Sequence, residues 1–141
     1  NRGTKDGVKP GMIVLDRFGN LIGKIIQPVS LMECRVQLIT DTESGVSVIK
    51  KDGESLGILS GDGGGMCRLK YILTTDTTIK SGDSVITTGF DGIYPPDLEV
   101  GHIAAVTGDQ DLFRNIKVKP QFKFKDLDIV GIITVDIDDA Y

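Results

Sequence analysis

Few side chains in this 141-residue chain could do covalent chemistry, and they are scattered. His102 is the sole histidine, and it sits in the apolar run Gly101 to Val106. No cysteine or carboxylate lies near it at metal-ligand spacing, so His102 is expected at the surface or at an interface. Cys34 and Cys67 fall on the apolar sides of two separate alternating stretches and read as small buried hydrophobes. A disulfide would need those stretches to meet with their Cβ atoms close together. Asp136, Asp138 and Asp139 near the C-terminus lack the glycine and the distal glutamate of a calcium loop and read as solvated. The sequence therefore points to no metal and no cofactor.

Gly61-Asp62-Gly63-Gly64-Gly65 resembles the G-D-S-G-G around the nucleophile of chymotrypsin-like proteases, which are double β-barrels. Here Gly63 stands where the serine would be, and His102 comes later in the chain instead of upstream, so the triad roles are unfilled. A phosphate cradle is excluded too, since such sites use a helix N-terminus and a strand-like stretch, Cys67 to Leu73, follows. A tight multi-glycine turn is the expectation. No catalytic set remains, and the chain is expected not to be an enzyme.

Binding is better represented. From Ser81 to Gly101, four glycines punctuate a β-branched strand, Val85 to Thr88, and a stiff apolar loop. Phe90, Ile93, Tyr94, Pro95 and Pro96 gather in that one connection and form the candidate partner-binding site. Pro95 pushes Tyr94 towards an extended conformation, and both prolines have φ nearly fixed. Such a loop can plug its own barrel or present an amphipathic hot spot to a partner. The expectation is a split, with Ile93 buried and Tyr94 partly exposed. A second candidate is the row Lys117, Lys119, Lys123 and Lys125, alternating with Ile116, Val118, Phe122 and Phe124. It reads either as an anion-attracting surface or as the guard of a strand edge, the second being favoured because Asp126 and Asp128 dilute the positive field.

The elements that must position these residues are short strands. Met12 to Leu15 and Leu21 to Gln27 flank a turn at Arg17 to Asn20. Met32, Cys34, Val36 and Leu38 alternate with polar residues, as do Cys67, Leu69, Tyr71 and Leu73. Val46 to Ile49 and Leu56 to Leu59 flank Lys51-Asp52-Gly53-Glu54, a hairpin signal. Gly101 to Val106 and Ile129 to Val135 complete the pattern, and no amphipathic helical segment of useful length is present. The fold class is all-β.

A weak repeat divides the chain. Val8 to Val14 aligns with Ile79 to Val85, and Gly23 to Ile26 with Gly101 to Ala104, the second copy carrying seven extra residues in the Tyr94 loop. Two small β-barrels in tandem are expected, the second inserted into or following the first. Residues 1–44 with 114–137 would form the first, 45–113 the second, and 138–141 a disordered tail.

Composition sets outer bounds. The chain is 40% hydrophobic and 26% charged with 18 glycines, which fits a globular protein of short strands and turns. Net charge is −4 with acids interleaved among the basic residues, which argues against nucleic acid as a partner. No run reaches the ~20 apolar residues that span a bilayer. The chain starts at Asn1 without a Met, as an excised fragment would.

Gly82-Asp83-Ser84-Val85-Ile86-Thr87-Thr88-Gly89-Phe90-Asp91-Gly92-Ile93-Tyr94-Pro95, followed by Val100-Gly101, resembles the signature of the bacterial rod-shape-determining MreC family. Gly3 with Asp6-Gly7-Val8, Gly57 to Gly61 and Val118-Lys119-Pro120 extend the similarity over most of the chain. Thr88, Tyr94 and Asp97 depart from the Ser, Phe and Gly common there, and Asp97 puts the loop geometry in question, since Asp tolerates φ > 0 less well than Gly. The resemblance implies a non-catalytic scaffold of the cell-elongation machinery on the extracytoplasmic face of the cell membrane. It implies an N-terminal anchor and coiled coil ahead of Asn1, self-assembly into homo-oligomers, and activation of the elongation penicillin-binding transpeptidase with RodA. MreD and, across the membrane, MreB are the other implied partners. Rival readings are a carbohydrate- or anionic-lipid-binding β module and a degenerate protease-like double barrel.

Overall fold

The computed structural model describes residues 3–4, 7–27, 29–127 and 130–133. Among these residues ten strands are arranged in two sheets. β1 (Ile13–Asp16), β2 (Leu21–Ile26), β3 (Arg35–Leu38) and β10 (Val130–Ile133) form an open antiparallel sheet in the order β10-β1-β2-β3. β4 (Val46–Lys50), β5 (Gly57–Gly61), β6 (Cys67–Lys70), β7 (Ser84–Thr87), β8 (Glu99–Thr107) and β9 (Asn115–Pro120) close into a barrel in the order β4-β5-β6-β9-β8-β7. A 3-10 turn at Phe124–Asp126 lies between β9 and β10. No helix among the described residues is long and apolar enough to cross a membrane.

The strands follow from the period-2 pattern. In β9 the residues Ile116, Val118 and Pro120 are buried and Asn115, Lys117 and Lys119 exposed; β6 alternates the same way. Pairing Cys67↔Val118 and Leu69↔Ile116 stacks the apolar sides of these two strands on the barrel interior. The hairpin expected around Lys51 to Glu54 is present, β4 pairing with β5 through Val46↔Leu59 and Val48↔Gly57. Lys50, at the end of β4, is 2% exposed, yet its ammonium is satisfied by Thr78 O at 2.7 Å, Asp52 at 3.1 Å and Asp83 at 3.5 Å. This ties the β4 turn to the entry of β7.

Two expectations are corrected here. The first unit is an open four-stranded sheet among the described residues, not a barrel: β3 pairs only with β2, and β10 lies at the opposite edge. The stretch 114–120, assigned to the first unit, is β9 of the barrel, because β6 and β8 each leave an edge that this strand pairs on both sides. The tail assigned to 138–141 lies outside the described residues.

The sheet and the barrel share one apolar core. Ile13, Leu21, Ile22 and Ile25 from the sheet join Val48, Leu59, Leu69, Ile103 and Val118 from the barrel in a single buried cluster. The junction is backbone-tight at Gly61, whose amide donates to Asp41 O at 3.2 Å. A Cβ on Gly61 would run into the Thr40 carbonyl, so only glycine lets the two chains approach. Cys67 is buried at the same seam, its thiol 3.4 Å from Ile39 O.

Candidate functional site

The β7–β8 connection is rigid because nearly every polar group in it has a partner. Thr87, buried at the end of β7, donates its hydroxyl to Pro95 O at 2.5 Å and accepts from Leu98 N at 2.9 Å. Its backbone amide reaches Leu98 O at 3.0 Å, which closes the base of the loop. Thr88 bridges to β4, its amide donating to Ser47 O at 3.0 Å and its hydroxyl to Ser47 Oγ at 2.7 Å. Asp91 is the hub of the tip. One carboxylate oxygen accepts the amides of Ile93 and Tyr94 at 3.0 and 3.2 Å, and the other accepts the amide of Ser47 at 3.0 Å. The loop is thereby stapled to β4, the strand that pairs with β7 to close the barrel.

This arrangement reverses the expected split. Tyr94 is 2% exposed and belongs to the core cluster, whereas Ile93 is half-buried against it. Asp91 gathers the Ile93 and Tyr94 amides, and the Tyr94 ring is the one that enters the core. Burial pushes its phenol well above the ordinary range, and the nearby Asp91 charge adds to the rise. The phenol lies towards Ser44, whose buried hydroxyl stays outside full hydrogen-bond geometry. Pro95 is half-buried and Pro96 exposed. Phe90 is the solvent-facing member, 74% exposed, with its amide held by Thr88 Oγ1 at 3.0 Å. Asp97 adopts φ +65, so the left-handed geometry questioned at this position is what the loop uses.

The lysines do not act as one group. Lys117 and Lys119 lie on β9, which is flanked by β6 and β8, so they guard no edge. They are exposed because the alternation that buries Ile116 and Val118 sends them outward. Lys123 and Lys125 follow the strand and line a different cleft of about 510 Å³ with Arg17 and Phe18. The Arg17 guanidinium sits 4.8 Å from the Phe18 ring centre there.

The residues first weighed for chemistry are occupied otherwise. Asp62 holds the multi-glycine turn, accepting Gly64 N at 2.6 Å and Met66 N at 3.1 Å. The Gly64 bond keeps its carboxyl below the usual range. Gly63 donates its amide to Thr40 O at 2.9 Å. Cys34 is half-buried and Cys67 buried, both are free thiols, and burial pushes the Cys67 thiol up to about 12. His102 is half-exposed on β8, opposite Lys119. Asp136, Asp138 and Asp139 lie outside the described residues. Sequence reading missed the aromatic pair Tyr71 and Phe113, because Tyr71 falls in step with the inward-facing Cys67 and Leu69. It leaves that rhythm through φ +72 and turns outward. The one signal available is Phe113 beside Leu112 in a connection rich in polar residues.

Comparisons with known proteins agree with this geometry. A profile described as rod shape-determining protein MreC, barrel core, matches residues 1–134. A cell shape-determining protein MreC from Caulobacter vibrioides is 39% identical over 106 residues, covering 75% of this chain and 29% of that protein. The crystal structure of MreC from Pseudomonas aeruginosa superposes with a TM-score of 0.86 at 27% identity, covering 94% of this chain and 84% of that one. A structure described as a complex between penicillin-binding protein PBP2 and MreC from Helicobacter pylori shares the fold, with a TM-score of 0.68 at 20% identity over 85% of this chain and 74% of that one. The chain spans between 29% and 51% of the length of the curated relatives it matches. With its profile match spanning every described strand, the chain belongs to the MreC family of cell shape-determining proteins.

Proposed function

We propose that this chain is a non-catalytic docking scaffold on the extracytoplasmic face of the cell membrane that binds and activates a penicillin-binding transpeptidase of the elongation machinery. The observation that carries the reading is Phe90, an aromatic ring 74% exposed on a loop whose backbone is fixed by Thr87, Thr88 and Asp91. A rigid loop with an exposed aromatic loses little entropy on binding, which is the property of an interface anchor. Pro96, also exposed, and the half-buried Ile93 and Pro95 complete the docking patch, with Tyr94 holding it from beneath. The Helicobacter pylori protein, which shares this fold, was solved with a penicillin-binding protein, and this supports the choice of partner. Self-assembly and contacts with RodA, MreD and, across the membrane, MreB belong to the same reading. The experiment is direct binding of the chain to the cognate transpeptidase's extracytoplasmic region by calorimetry. A saturable complex is expected; no heat and no complex at concentrations of about 100 μM would overturn the reading.

A further inference from the structure

The outer face of the barrel where β6, β9 and β8 lie side by side carries a row of cations. Arg68 on β6 stands directly across from Lys117 on β9, and Lys119 stands across from His102 on β8. Lys70 is two residues from Arg68 and Lys119 two from Lys117, so all four basic side chains share the solvent side. Like charges directly opposite one another destabilise an antiparallel ladder. Among the described residues, none of the four has a carboxylate within ion-pair distance. Asp62, which feels the Arg68 charge, is engaged in holding its glycine turn. In a chain of net charge −4, this face gathers four cations without an ion-pair partner among the described residues.

At one end the row meets an aromatic pair. β6 ends at Lys70, and Tyr71 adopts φ +72, a conformation unfavourable for a bulky side chain. The ring it turns outward is 61% exposed and packs edge-on against Phe113, with centroids 5.9 Å apart. The strain gains nothing for the barrel core, since the ring stands in solvent. With Arg68, Lys70, Arg114 and Asn115, the two rings wall a concavity of about 280 Å³, the size of one large side chain. Arg114 is fixed there by bonds to Asp76 O at 3.0 Å and Thr74 O at 2.9 Å.

We propose that this face docks an acidic, extended polypeptide segment of a partner protein. The segment seats one aromatic or aliphatic side chain in the hollow walled by Tyr71 and Phe113 and lays its carboxylates along Arg68, Lys70, Lys117 and Lys119. Alternate residues of an extended chain are about 6.6 Å apart, the same step as alternate lysines on β9. A membrane surface fits less well, because the rings wall a hollow and do not form a projecting tip. The site is separate from the β7–β8 loop and stands whether or not that loop binds a transpeptidase.

The test is equilibrium binding of the folded chain to four probes: a random glutamate–tyrosine copolymer, polyglutamate, heparin and phosphatidylglycerol vesicles. The copolymer is expected to bind roughly 10-fold more tightly than polyglutamate, the difference being the seated ring. Both affinities should fall steeply as salt rises. Arg68→Gln with Lys117→Gln should abolish binding of both peptides while leaving the melting temperature equal or higher, since the cross-strand repulsion is gone. Tyr71→Gly relaxes the left-handed backbone, so it should hold or raise the melting temperature and erase only the preference for the copolymer. Equal affinity for the two peptides, a preference that survives Tyr71→Gly, or no peptide binding at all would overturn the proposal. Heparin or vesicle binding that exceeds peptide binding would overturn the polypeptide as occupant.

Discussion

The β1–β2–β3 portion of the open sheet and the β7–β8–β9 portion of the barrel are built on the same backbone plan. Gly11 N donates to Ile25 O at 2.8 Å, and Gly82 N to Ile103 O at 2.7 Å; the return bonds, Ile25 N to Met12 O and Ile103 N to Asp83 O, are both 2.8 Å. The register slips after Val14 in one copy and after Val85 in the other. A Cβ on Gly23 would collide with Gln37 O of β3, and one on Gly101 with Lys119 O of β9. The base of the hairpin closes alike, through Asp16 N to Asn20 O and Thr87 N to Leu98 O, each at 3.0 Å. The copies differ above that bond. Asp16 caps a short turn with its carboxylate, accepting Phe18 N and Asn20 N at 2.9 Å, while Thr87 caps a loop seven residues longer with its hydroxyl. The long loop reaches across to Ser47 on β4, and the β5–β6 hairpin then carries the sheet round to β9. Among the described residues β3 has no such continuation and remains an edge. One unit therefore becomes a barrel because of what it is stapled to, not because of its own strands.

The largest expected effect breaks the staple from inside. Tyr94→Ala should lower stability by about 3–5 kcal/mol, as deleting a fully buried large aromatic does, read as a shift in denaturation midpoint. The equivalent turn of the open sheet has only the exposed Phe18, so Phe18→Ala should change stability by under about 0.5 kcal/mol. Next comes the comparison of the two capping carboxylates. Asp91→Ala leaves the amides of Ser47, Ile93 and Tyr94 without their acceptor and should cost about 2–3 kcal/mol, while Asp16→Ala should cost about 1–2 kcal/mol. Equal losses would mean that the long loop adds nothing beyond a local turn.

Alkaline pH should act on the barrel through two groups. Desolvation alone would lower the Lys50 pKa, but Asp52 and Asp83 outweigh it and hold it above 10.5 in the folded chain. A raised folded pKa means stability fully present below the unfolded pKa and lost as pH rises through the folded pKa. Tyr94 shifts the same way, its neutral phenol being favoured by burial. Melting temperatures of the wild type should fall as pH rises above about 10, the range where unfolded Tyr and Lys titrate, and Lys50→Met should flatten that slope while destabilising the chain at pH 7. One small effect is a gain. Asp97→Gly should raise stability by about 0.5–1 kcal/mol by relieving the left-handed backbone at φ +65; a loss there would show that the carboxylate holds the loop.

Much of this plan is legible in the sequence, because alternation of apolar and polar residues fixes which side of a strand faces inward. The hairpin at Lys51 to Glu54, the turn held by Asp62 and the repeat all follow from local residue types. What is not legible depends on partners distant in the chain. β9 reads like any amphipathic strand, and only the free edges of β6 and β8 assign it to the barrel. Ile93 and Tyr94 are both apolar, and which of them enters the core is settled by packing against residues far off in the chain. Met32 and Val36 continue an alternating pattern yet lie exposed at 59% and 36%, since β3 begins at Arg35 and stands at the edge of the sheet.

In the proposed scaffold the inserted loop divides its labour, Tyr94 and Asp91 holding the barrel and Phe90 meeting the partner. The most direct test is Phe90→Ala, measured for both denaturation midpoint and affinity for the cognate transpeptidase. An unchanged midpoint with affinity weakened by roughly 10-fold or more is the expected result. Undiminished affinity, or a loss of stability as large as that of Tyr94→Ala, would contradict it.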